Sequence, residues 1–361
     1  MLSGHSFTSD YRCLRAYGCP ESIENRIGHQ VDWPAFMATH PVMLAPMAGV
    51  TDPVMRKLCL EQGASLTFTE MVSAKGLSYE NQRTEDLLTL SPDETQVGVQ
   101  LFGHEPATMA HQAARVREML GEALAVIDIN MGCPARKIIT KGDGSALMQQ
   151  PDRAVHIVAA VVDAVDVPVT VKMRRGFALG CETAGDLARR VEQAGAAGVT
   201  VHGRFAQQLY RGTSCHATIR RVKEAVAIPV VGNGDVCCGA DAVTLMRETA
   251  CDAIMIARAA EGNPWVFADV AAALAGKPAP QPPSLRERVA LARRHARELY
   301  RWEPRALVRM RKQGSWYCKG QPGASQAREA LNRCRSLAEF EAAFDEMDRR
   351  LDELEMREDA Q

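Results

Sequence analysis

Eight short apolar runs recur at intervals of a few tens of residues, and each is followed by a stretch rich in Ala, Leu, Glu and Arg that is typical of a helix. Continuous apolar strands that alternate with helices indicate a parallel sheet covered on its outer face, and eight such units close into a barrel. The sequence therefore predicts an α/β protein built on a (β/α)8 TIM barrel. The predicted strands are Val42–Ala45, Leu66–Thr69, Val97–Phe102, Val126–Asn130, Val169–Met173, Val199–His202, Val230–Asn233 and Ala253–Ile256.

The chain has 361 residues, more than the roughly 250 that such a barrel needs. A Pro-rich link, GKPAPQPP at Gly276–Pro283, can hardly form a helix or a central strand. We therefore predict an N-terminal extension over residues 1–40, a barrel over residues 41–275 and a small C-terminal helical domain over residues 284–361. Residues 1–25 show no pattern that assigns them a role.

Two absences narrow the class of protein. No apolar run approaches the roughly 18 residues of a membrane-spanning helix, and the first residues lack the apolar core of a secretory signal. The 11 cysteines include no CxxC pair, so the sequence predicts neither a metal site nor a disulfide framework. We expect a cytoplasmic enzyme that binds no metal and no membrane.

The net charge of -1 conceals an uneven distribution of charge along the chain. Residues 281–335 contain 14 Lys and Arg against 4 Glu, whereas residues 336–361 contain 3 Arg against 10 Asp and Glu. A basic helical segment is compatible with a nucleic-acid partner despite the neutral total.

Polar side chains follow almost every predicted strand. The active sites of (β/α)8 barrels lie at the carboxyl ends of the strands. These side chains are therefore expected to lie together at the opening of the barrel on that side, its mouth. They are Met47, Glu70, Gln100, Asn130, Cys133, Lys172, His202, Asn233, Asp235 and Arg258.

The run NMGCPARK, at Asn130–Lys137, directly follows the fourth strand. A Gly before Cys133 and a Pro after it hold the backbone in a defined loop, which places the thiol over the mouth. A cysteine there can be a nucleophile, a general acid or a packing residue, and the residue alone does not decide among them.

Seven motifs in order resemble those of the tRNA-dihydrouridine synthase family, and the C-terminal phrases MRKQGSWY and PGASQAREALNR are most similar to its bacterial B-type branch. Together they extend from the first strand into the helical domain. The seven motifs are APMAGVTD at Ala45–Asp52, VQLFG at Val99–Gly103, DINMGCPARK at Asp128–Lys137, VKMRRG at Val171–Gly176, VHGR at Val201–Arg204, VVGNGDV at Val230–Val236 and IARAAEGNPW at Ile256–Trp265.

The resemblance implies reduction of specific uridines in tRNA to 5,6-dihydrouridine by an FMN that NADPH recharges. A hydride would pass from flavin N5 to uracil C6, and Cys133 would give a proton to C5. No side chain can supply a hydride, so a flavin meets a physical need. A thiol with its usual pKa of about 8.5 is mostly protonated at neutral pH, as a proton donor must be. Because no GxGxxG follows a strand, NADPH is not expected to have a Rossmann module.

The same resemblance assigns cofactor contacts. Gln100 would hydrogen-bond the pyrimidine edge of the flavin, and Lys172 would stabilise negative charge near N1 and O2, unless it is only a solvated cation at a strand end. His202 would help to fix the cofactor or would serve the fold alone. Contacts along the flavin ring are expected from Pro46, Met47 and Ala48. Contacts to the phosphate are expected from Gly232, Asn233, Gly234, Asp235, Ala257 and Arg258.

The target base must leave the folded tRNA to reach the mouth, where Asn130 would orient the uracil ring. Exposed basic residues can contact RNA phosphates or can merely aid solubility. The proposed tRNA contacts are Arg136, Lys137, Lys141, Arg174, Arg204, Arg311 and Lys312. Further candidates on the helical segment are Arg286, Arg293, Arg305 and Arg309, with Trp316 and Tyr317 able either to stack on bases or to pack. We expect a monomer.

Three residues depart from the family pattern. Gln313 stands where His is frequent, His216 where Trp is common and Asp143 where Ala is usual, which concerns RNA docking more than chemistry. Two other functions stay open: a flavin barrel enzyme for a free pyrimidine, similar to dihydroorotate or dihydropyrimidine dehydrogenases, and a non-catalytic RNA-binding barrel. The basic helical segment speaks against the first. Cys133 and Lys172 speak against the second.

Overall fold

The computed structural model of the protein describes residues 32–359 and confirms all eight predicted strand positions. The second position is split into two short strands, so the sheet has nine strands in the described part of the chain. All pairings are parallel. The strands are β1 (Val42–Leu44), β2 (Leu66–Thr67), β3 (Val72–Ser73), β4 (Val97–Phe102), β5 (Leu124–Met131), β6 (Val169–Gly176), β7 (Gly198–Phe205), β8 (Val230–Asn233) and β9 (Ala253–Ile256).

The sheet closes on itself, which confirms the predicted TIM barrel. β1 pairs with both β2 and β9, and a parallel bridge between Phe68 and Gly98 joins the end of β2 to β4. A Cβ on Gly98 would lie 2.4 Å from the Phe68 ring, so only glycine admits this close approach. Glu70 and Met71 interrupt the ladder before β3, and Glu70 instead forms contacts above the strands.

Helices follow the strands on the outer face of the barrel. Local sequence sets their beginnings: Asp52, for example, accepts the Met55 N–H at 3.0 Å and precedes Pro53, the first helical residue of its helix. The α-helices of this part are α1 (Trp33–Thr39), α2 (Pro53–Glu61), α3 (Ala74–Ser78), α4 (Gln82–Glu85), α5 (Pro106–Leu120), α6 (Arg136–Ile139), α7 (Pro151–Ala164), α8 (Ala184–Gln193), α9 (His216–Ala225), α10 (Gly239–Thr249) and α11 (Val266–Leu274). Short 3-10 helices span Asp86–Leu88, Gly121–Ala123, Gly144–Gln149, Arg258–Ala260 and Pro304–Arg309.

Apolar side chains fill the space between sheet and helices, and they also fill the barrel interior toward the amino-terminal ends of the strands. Trp33 and Met37 of α1 belong to the interior cluster, and Trp33 packs against Gly198, the first residue of β7. This packing covers the amino-terminal end of the barrel, so the opposite end is the one with polar side chains. Residues 1–31 of the predicted N-terminal extension lie outside the described residues.

The C-terminal part consists of helices, as predicted, and the link over residues 277–283 has neither helix nor strand. Its core includes Val54 and Leu58 of α2, so it packs directly on the barrel. Among residues 32–359, no helix is both long and apolar enough to cross a membrane. The helices are α12 (Leu285–Trp302), α13 (Met310–Tyr317), α14 (Ala324–Arg333) and α15 (Leu337–Asp359).

Candidate active site

The strand register brings the polar strand-end residues into neighbouring rows. Asp128 of β5 pairs with Thr170 of β6 and lies opposite Gln100 of β4. Two residues further along these strands, Asn130 pairs with Lys172. Because parallel strands end at the same side, these residues meet at the mouth of the barrel as the sequence predicts.

A chain of hydrogen bonds crosses the mouth from β6 to the loop after β5. Thr170 Oγ1 donates to Asp128 Oδ1 at 2.7 Å, and Gln100 Nε2 donates to Asp128 Oδ2 at 2.6 Å. Asn130 Nδ2 donates to Gln100 Oε1 at 2.7 Å. Asn130 Oδ1 in turn accepts the Cys133 N–H at 2.9 Å. Gln100 and Asn130 therefore have fixed positions before any ligand arrives.

Lys172 lies inside the mouth. Its Nζ donates to Asn233 Oδ1 at 3.0 Å, and Asn233 Nδ2 donates to the Met255 carbonyl at 2.7 Å. Burial lowers the pKa of Lys172 to about 8, although Asp128 and Cys133 partly oppose that shift. The ammonium is thus charged at neutral pH and close to losing its proton in mild alkali. This geometry does not support the alternative of a solvated surface cation.

Cys133 is half-buried on a tightly held loop. Its carbonyl accepts the Ser145 N–H at 3.1 Å, and Gly144 approaches so closely, with φ of +60°, that a Cβ there would lie 2.8 Å from the same oxygen. Burial raises the pKa of the Cys133 thiol, while the charges of Arg174 and Lys172 pull it down. The thiol therefore keeps its proton at neutral pH, with cations nearby that stabilise the thiolate it leaves behind.

Arg174 and His202 form the wall between β6 and β7. Arg174 is buried: its Nε donates to the Gly132 carbonyl at 2.9 Å and its Nη1 to the Leu209 carbonyl at 2.8 Å. Burial lowers the pKa of Arg174 to about 10. Burial, together with the surrounding cations, lowers the pKa of His202 to about 2, so its ring is neutral.

The predicted phosphate region lies where β8 and β9 end side by side. Asp235 is held by Arg204 in a two-pronged ion pair, by the Ser214 N–H at 2.7 Å and by Arg258 at 3.3 Å. Its carboxylate is thus committed to the protein, and any ligand contact would come from the backbone. Gly234, at φ of +121°, packs so tightly that a Cβ would lie 2.9 Å from the His202 ring.

Two predicted site residues, one proposed for the phosphate and one for the tRNA, are placed away from the opening. Gly232 lies in the β8 ladder and faces α10, because a Cβ there would meet Leu245 at 3.0 Å. Arg204 is buried, and its guanidinium is directed to Asp235 and to backbone carbonyls of the loop after β7. By contrast, Ala257 is half-buried and Arg258 is exposed at the rim.

The loop after β1 carries Pro46 and Met47, both half-buried, and the exposed Ala48. Its Gly49 is fixed from two sides. Glu70 accepts the Gly49 N–H, and Gln313 of α13 donates to the Gly49 carbonyl at 3.2 Å.

Glu70 also connects this loop to the helical segment. It accepts from Arg309 at 2.6 Å, and Arg309 further reaches Asp52 at 3.2 Å. Arg309, one of the candidate RNA contacts, is therefore paired with two acids of the barrel.

Some of the predicted RNA contacts are exposed, whereas others already bond groups of the protein. Arg136, Lys137 and Lys141 are exposed on and beside α6, immediately after Cys133. Lys312 is exposed with its ammonium 5.0 Å from the centre of the Trp316 ring, and Arg311 is half-buried with its Nε bonded to the Cys334 carbonyl at 2.8 Å.

Acids of α15 neutralise much of the basic face of α12. Arg293 contacts Glu341, Asp345 and Asp348 at 2.6 to 2.9 Å, and Arg286 contacts Asp352 at 2.8 Å. Two further candidates differ: Arg305 stays exposed, whereas Tyr317 is fully buried with its hydroxyl 2.9 Å from His295 Nδ1. Of the two alternatives predicted for Tyr317, the structure thus selects packing. Trp316 is half-buried.

Each departure from the family pattern has a local partner. On the loop beside Cys133, Asp143 Oδ1 lies 2.7 Å from His104 Nδ1. His216 Nδ1 lies 2.7 Å from Glu248 Oε2. Gln313 is buried against the Gly49 loop. Within residues 32–359, no group of His, Cys, Asp or Glu is arranged to bind a metal ion.

Of two acidic residues that hold the site, Asp128 was not predicted, whereas Glu70 was predicted as a strand-end residue of the mouth but was given no role. Asp128 and Glu70 each bind two groups that hold the mouth in place. A signal for Asp128 existed: it is the one charged residue in the strand LAVIDINM, whose other residues are apolar except for Asn130, and a buried charge needs a specific partner.

The chain is similar in sequence to known proteins. A family model described as dihydrouridine synthase (Dus) matches residues 43–352. A probable tRNA-dihydrouridine synthase of Mycobacterium tuberculosis is 41% identical over 322 residues, covering 85% of this chain and 82% of that protein. The tRNA-dihydrouridine synthases B of Xanthomonas campestris and Klebsiella pneumoniae are 39% and 38% identical and cover 82% and 87% of this chain, and 89% and 96% of their own lengths. These matches confirm the resemblance to the B-type branch, and the chain belongs to the dihydrouridine synthase family.

Proposed function

We propose that this protein reduces specific uridines of tRNA to 5,6-dihydrouridine, with FMN in the barrel mouth and NADPH as the reductant. One observation carries the proposal: a protonated thiol, a half-buried ammonium and two fixed amides converge on a single mouth. Family membership and relatives named tRNA-dihydrouridine synthase support tRNA as the substrate.

Cys133 is the proton donor in this proposal. Its raised thiol pKa keeps the proton on Sγ until the uracil C5 takes it. The resulting thiolate is stabilised by the charges of Arg174, Lys172 and Lys137 and regains a proton from solvent. Asn130, whose amide is fixed by Gln100, orients the uracil ring for this transfer.

The residues of the mouth fit FMN. When bound, FMN supplies the hydride for uracil C6. Lys172 offers a cation that stabilises negative charge on the reduced cofactor, and Gln100 offers a fixed amide. The loop of Gly234 and Asp235, beside Arg258, offers backbone groups and a positive charge for the phosphate. Contacts from Pro46, Met47, Ala48, Asn233, His202 and Ala257 complete the proposed binding site.

The tRNA would lie across the mouth and the neighbouring helical segment. Exposed cations next to Cys133 and on α13 would contact its phosphates, whereas the buried Arg174 and Arg204 would support the loops that face it. We propose that the protein acts as a monomer. Because its substrate is tRNA, we place the reaction in the cytoplasm.

A reconstitution assay tests this function. Purified protein, FMN and NADPH are incubated with unmodified tRNA, and dihydrouridine is measured by mass spectrometry. Cys133→Ala should retain flavin and tRNA binding but lose dihydrouridine formation by about 10²- to 10⁴-fold, the usual contribution of a general acid.

Cys181→Ala is the matched control, because Cys181 is an exposed thiol on the loop after β6 and is not among the proposed site residues. Full activity of Cys133→Ala would remove the acid role of Cys133. Product formation from free uridine but not from tRNA would favour the free-pyrimidine enzyme. Salt-sensitive tRNA binding without any flavin would favour the RNA-binding barrel.

A further inference from the structure

One ionisable side chain of the barrel wall has no part in the proposed proton transfer. Asp128 lies within β5, its residue is 0% exposed, and its strand is otherwise apolar or amide-bearing. Burying a carboxylate is costly unless hydrogen bonds compensate for the lost water. A position that serves packing alone is better filled by an aliphatic side chain. The carboxylate of Asp128 therefore indicates a role beyond packing.

The carboxylate gives the hydrogen-bond chain one direction. Burial raises the pKa of Asp128 to about 6, so its carboxyl is mostly ionised at neutral pH. An ionised carboxylate only accepts hydrogen bonds, so the group of Gln100 that faces Asp128 must be its Nε2, at 2.6 Å. Gln100 then presents Oε1 to its other neighbour. Asn130 must donate from Nδ2, at 2.7 Å, and its Oδ1 is left to accept from backbone N–H groups.

The far end of the chain is the loop of the proposed acid. Asn130 Oδ1 accepts the N–H groups of Gly132 at 3.1 Å and of Cys133 at 2.9 Å. The second Nδ2 hydrogen of Asn130 has only a weak acceptor, Met71 Sδ at 3.9 Å, and is thus available to a ligand in the mouth.

We propose that Asp128 is a positioning residue for uridine reduction: it orients the amides of Gln100 and Asn130 in the single sense that holds the Cys133 loop and presents an Asn130 N–H to the uracil. The inference rests on the proposed function of this mouth. Asp128 touches neither cofactor nor base, and acts through the two amides.

The reversed orientation shows why an acceptor is needed at position 128. If Gln100 turned its Oε1 toward residue 128, its Nε2 would face Asn130, which would then have to accept. Asn130 Nδ2 would be turned toward the N–H groups of Gly132 and Cys133, where donors would oppose donors. The loop of Cys133 would lose two hydrogen bonds, and the uracil would meet an acceptor in place of a donor.

Asp128→Asn tests the proposal with little change of shape. An amide at this position can present either a donor or an acceptor, so both orientations of Gln100 become populated. Flavin reduction by NADPH and flavin reoxidation by tRNA are measured separately by stopped-flow absorbance on the full-length, FMN-loaded protein. We expect the tRNA-dependent step to slow about tenfold more than the NADPH-dependent step, because small displacements of reacting groups are amplified in the rate.

Thr170→Val is the matched variant. It removes a hydrogen bond that lowers the pKa of Asp128, so both variants are compared with wild type at pH 8, well above that pKa of about 6. There the carboxylate still presents an acceptor to Gln100, and both steps should stay within about threefold of wild type. An unchanged tRNA-dependent step in Asp128→Asn would overturn the proposal. The proposal would also be overturned if both variants lost both steps and flavin content to the same extent. Such a result would indicate a purely structural role. Wild-type protein that tRNA fails to reoxidise would instead overturn the proposed function itself.

Discussion

The barrel mouth and the helical segment arrange their charged side chains in opposite ways. In the mouth, Lys172 and Arg174 lie two residues apart on β6, and burial lowers the pKa of both. In the helical segment, cations of α12 such as Arg293 meet acids of α15 that lie about fifty residues further along the chain.

This contrast separates two kinds of positive charge. In the mouth, Lys172 bonds an amide and Arg174 bonds backbone carbonyls, so their positive charge is not cancelled by these partners and can attract an anion. On the α12 face, the ion pairs cancel the charge before a ligand arrives. The basic count over residues 281–335 therefore overstates what the helical segment offers to RNA.

The largest difference should appear in stability. Arg56→Met breaks a fully buried pair with Glu94 (0% exposure of both side chains) and should lower the free energy of unfolding by about 3–5 kcal/mol, because a buried charge is left unpaired. Arg293→Met, in the more exposed α12 network, should cost about 1 kcal/mol or less. Urea unfolding followed by circular dichroism measures both. Equal losses would contradict the contrast between buried and solvated pairs.

The sequence predicts the barrel well because strand order and apolar runs are local features. The strand-end residues Cys133, Lys172 and His202 also lie together as expected, because parallel strands end on one side. Residue pairs between distant segments are different: nothing near Arg293 in the sequence indicates that α15 will cover it.

The same limit applies inside the mouth. The burial of Arg204 and its pairing with Asp235 depend on how the loop after β7 folds back, which no local pattern encodes. Asp143 and His104 likewise meet only because two loops are adjacent in space. Register predicts neighbours across strands, whereas contacts between loops require the three-dimensional structure.

Lys172→Met tests the use of uncancelled charge in the mouth. Loss of a half-buried cation beside the proposed cofactor should slow NADPH-driven flavin reduction by about 10- to 100-fold, the scale seen when one preorganised electrostatic group is removed. Stopped-flow flavin absorbance measures this rate. Lys223→Met is the control, since Lys223 pairs with Asp252 outside the mouth. A Lys172→Met protein that is reduced at the wild-type rate would contradict the assigned role.

The pH dependence of the same step should follow Lys172. Its pKa is lowered to about 8, so the cation is present below that pH and is lost as the pH rises. The rate of flavin reduction should therefore fall above pH 8, by up to about tenfold per pH unit if only the charged form supports the step. The Lys172→Met protein should lack this alkaline limb. A limb that persists in the variant would belong to another group.

The smallest effects should be those on tRNA affinity, and they compare the two regions directly. Lys137→Ala, beside Cys133, and Lys312→Ala, on α13, should each weaken tRNA binding by about threefold. Each should also reduce the slope of the logarithm of the binding constant against the logarithm of salt concentration by about one, as expected for loss of a single phosphate contact. Arg293→Met should leave affinity unchanged, because its charge is already balanced by three acids. Filter binding at several salt concentrations measures all three variants. If Arg293→Met weakens binding as much as Lys137→Ala, the acids of α15 do not shield α12, and the basic face of the helical segment contacts the tRNA.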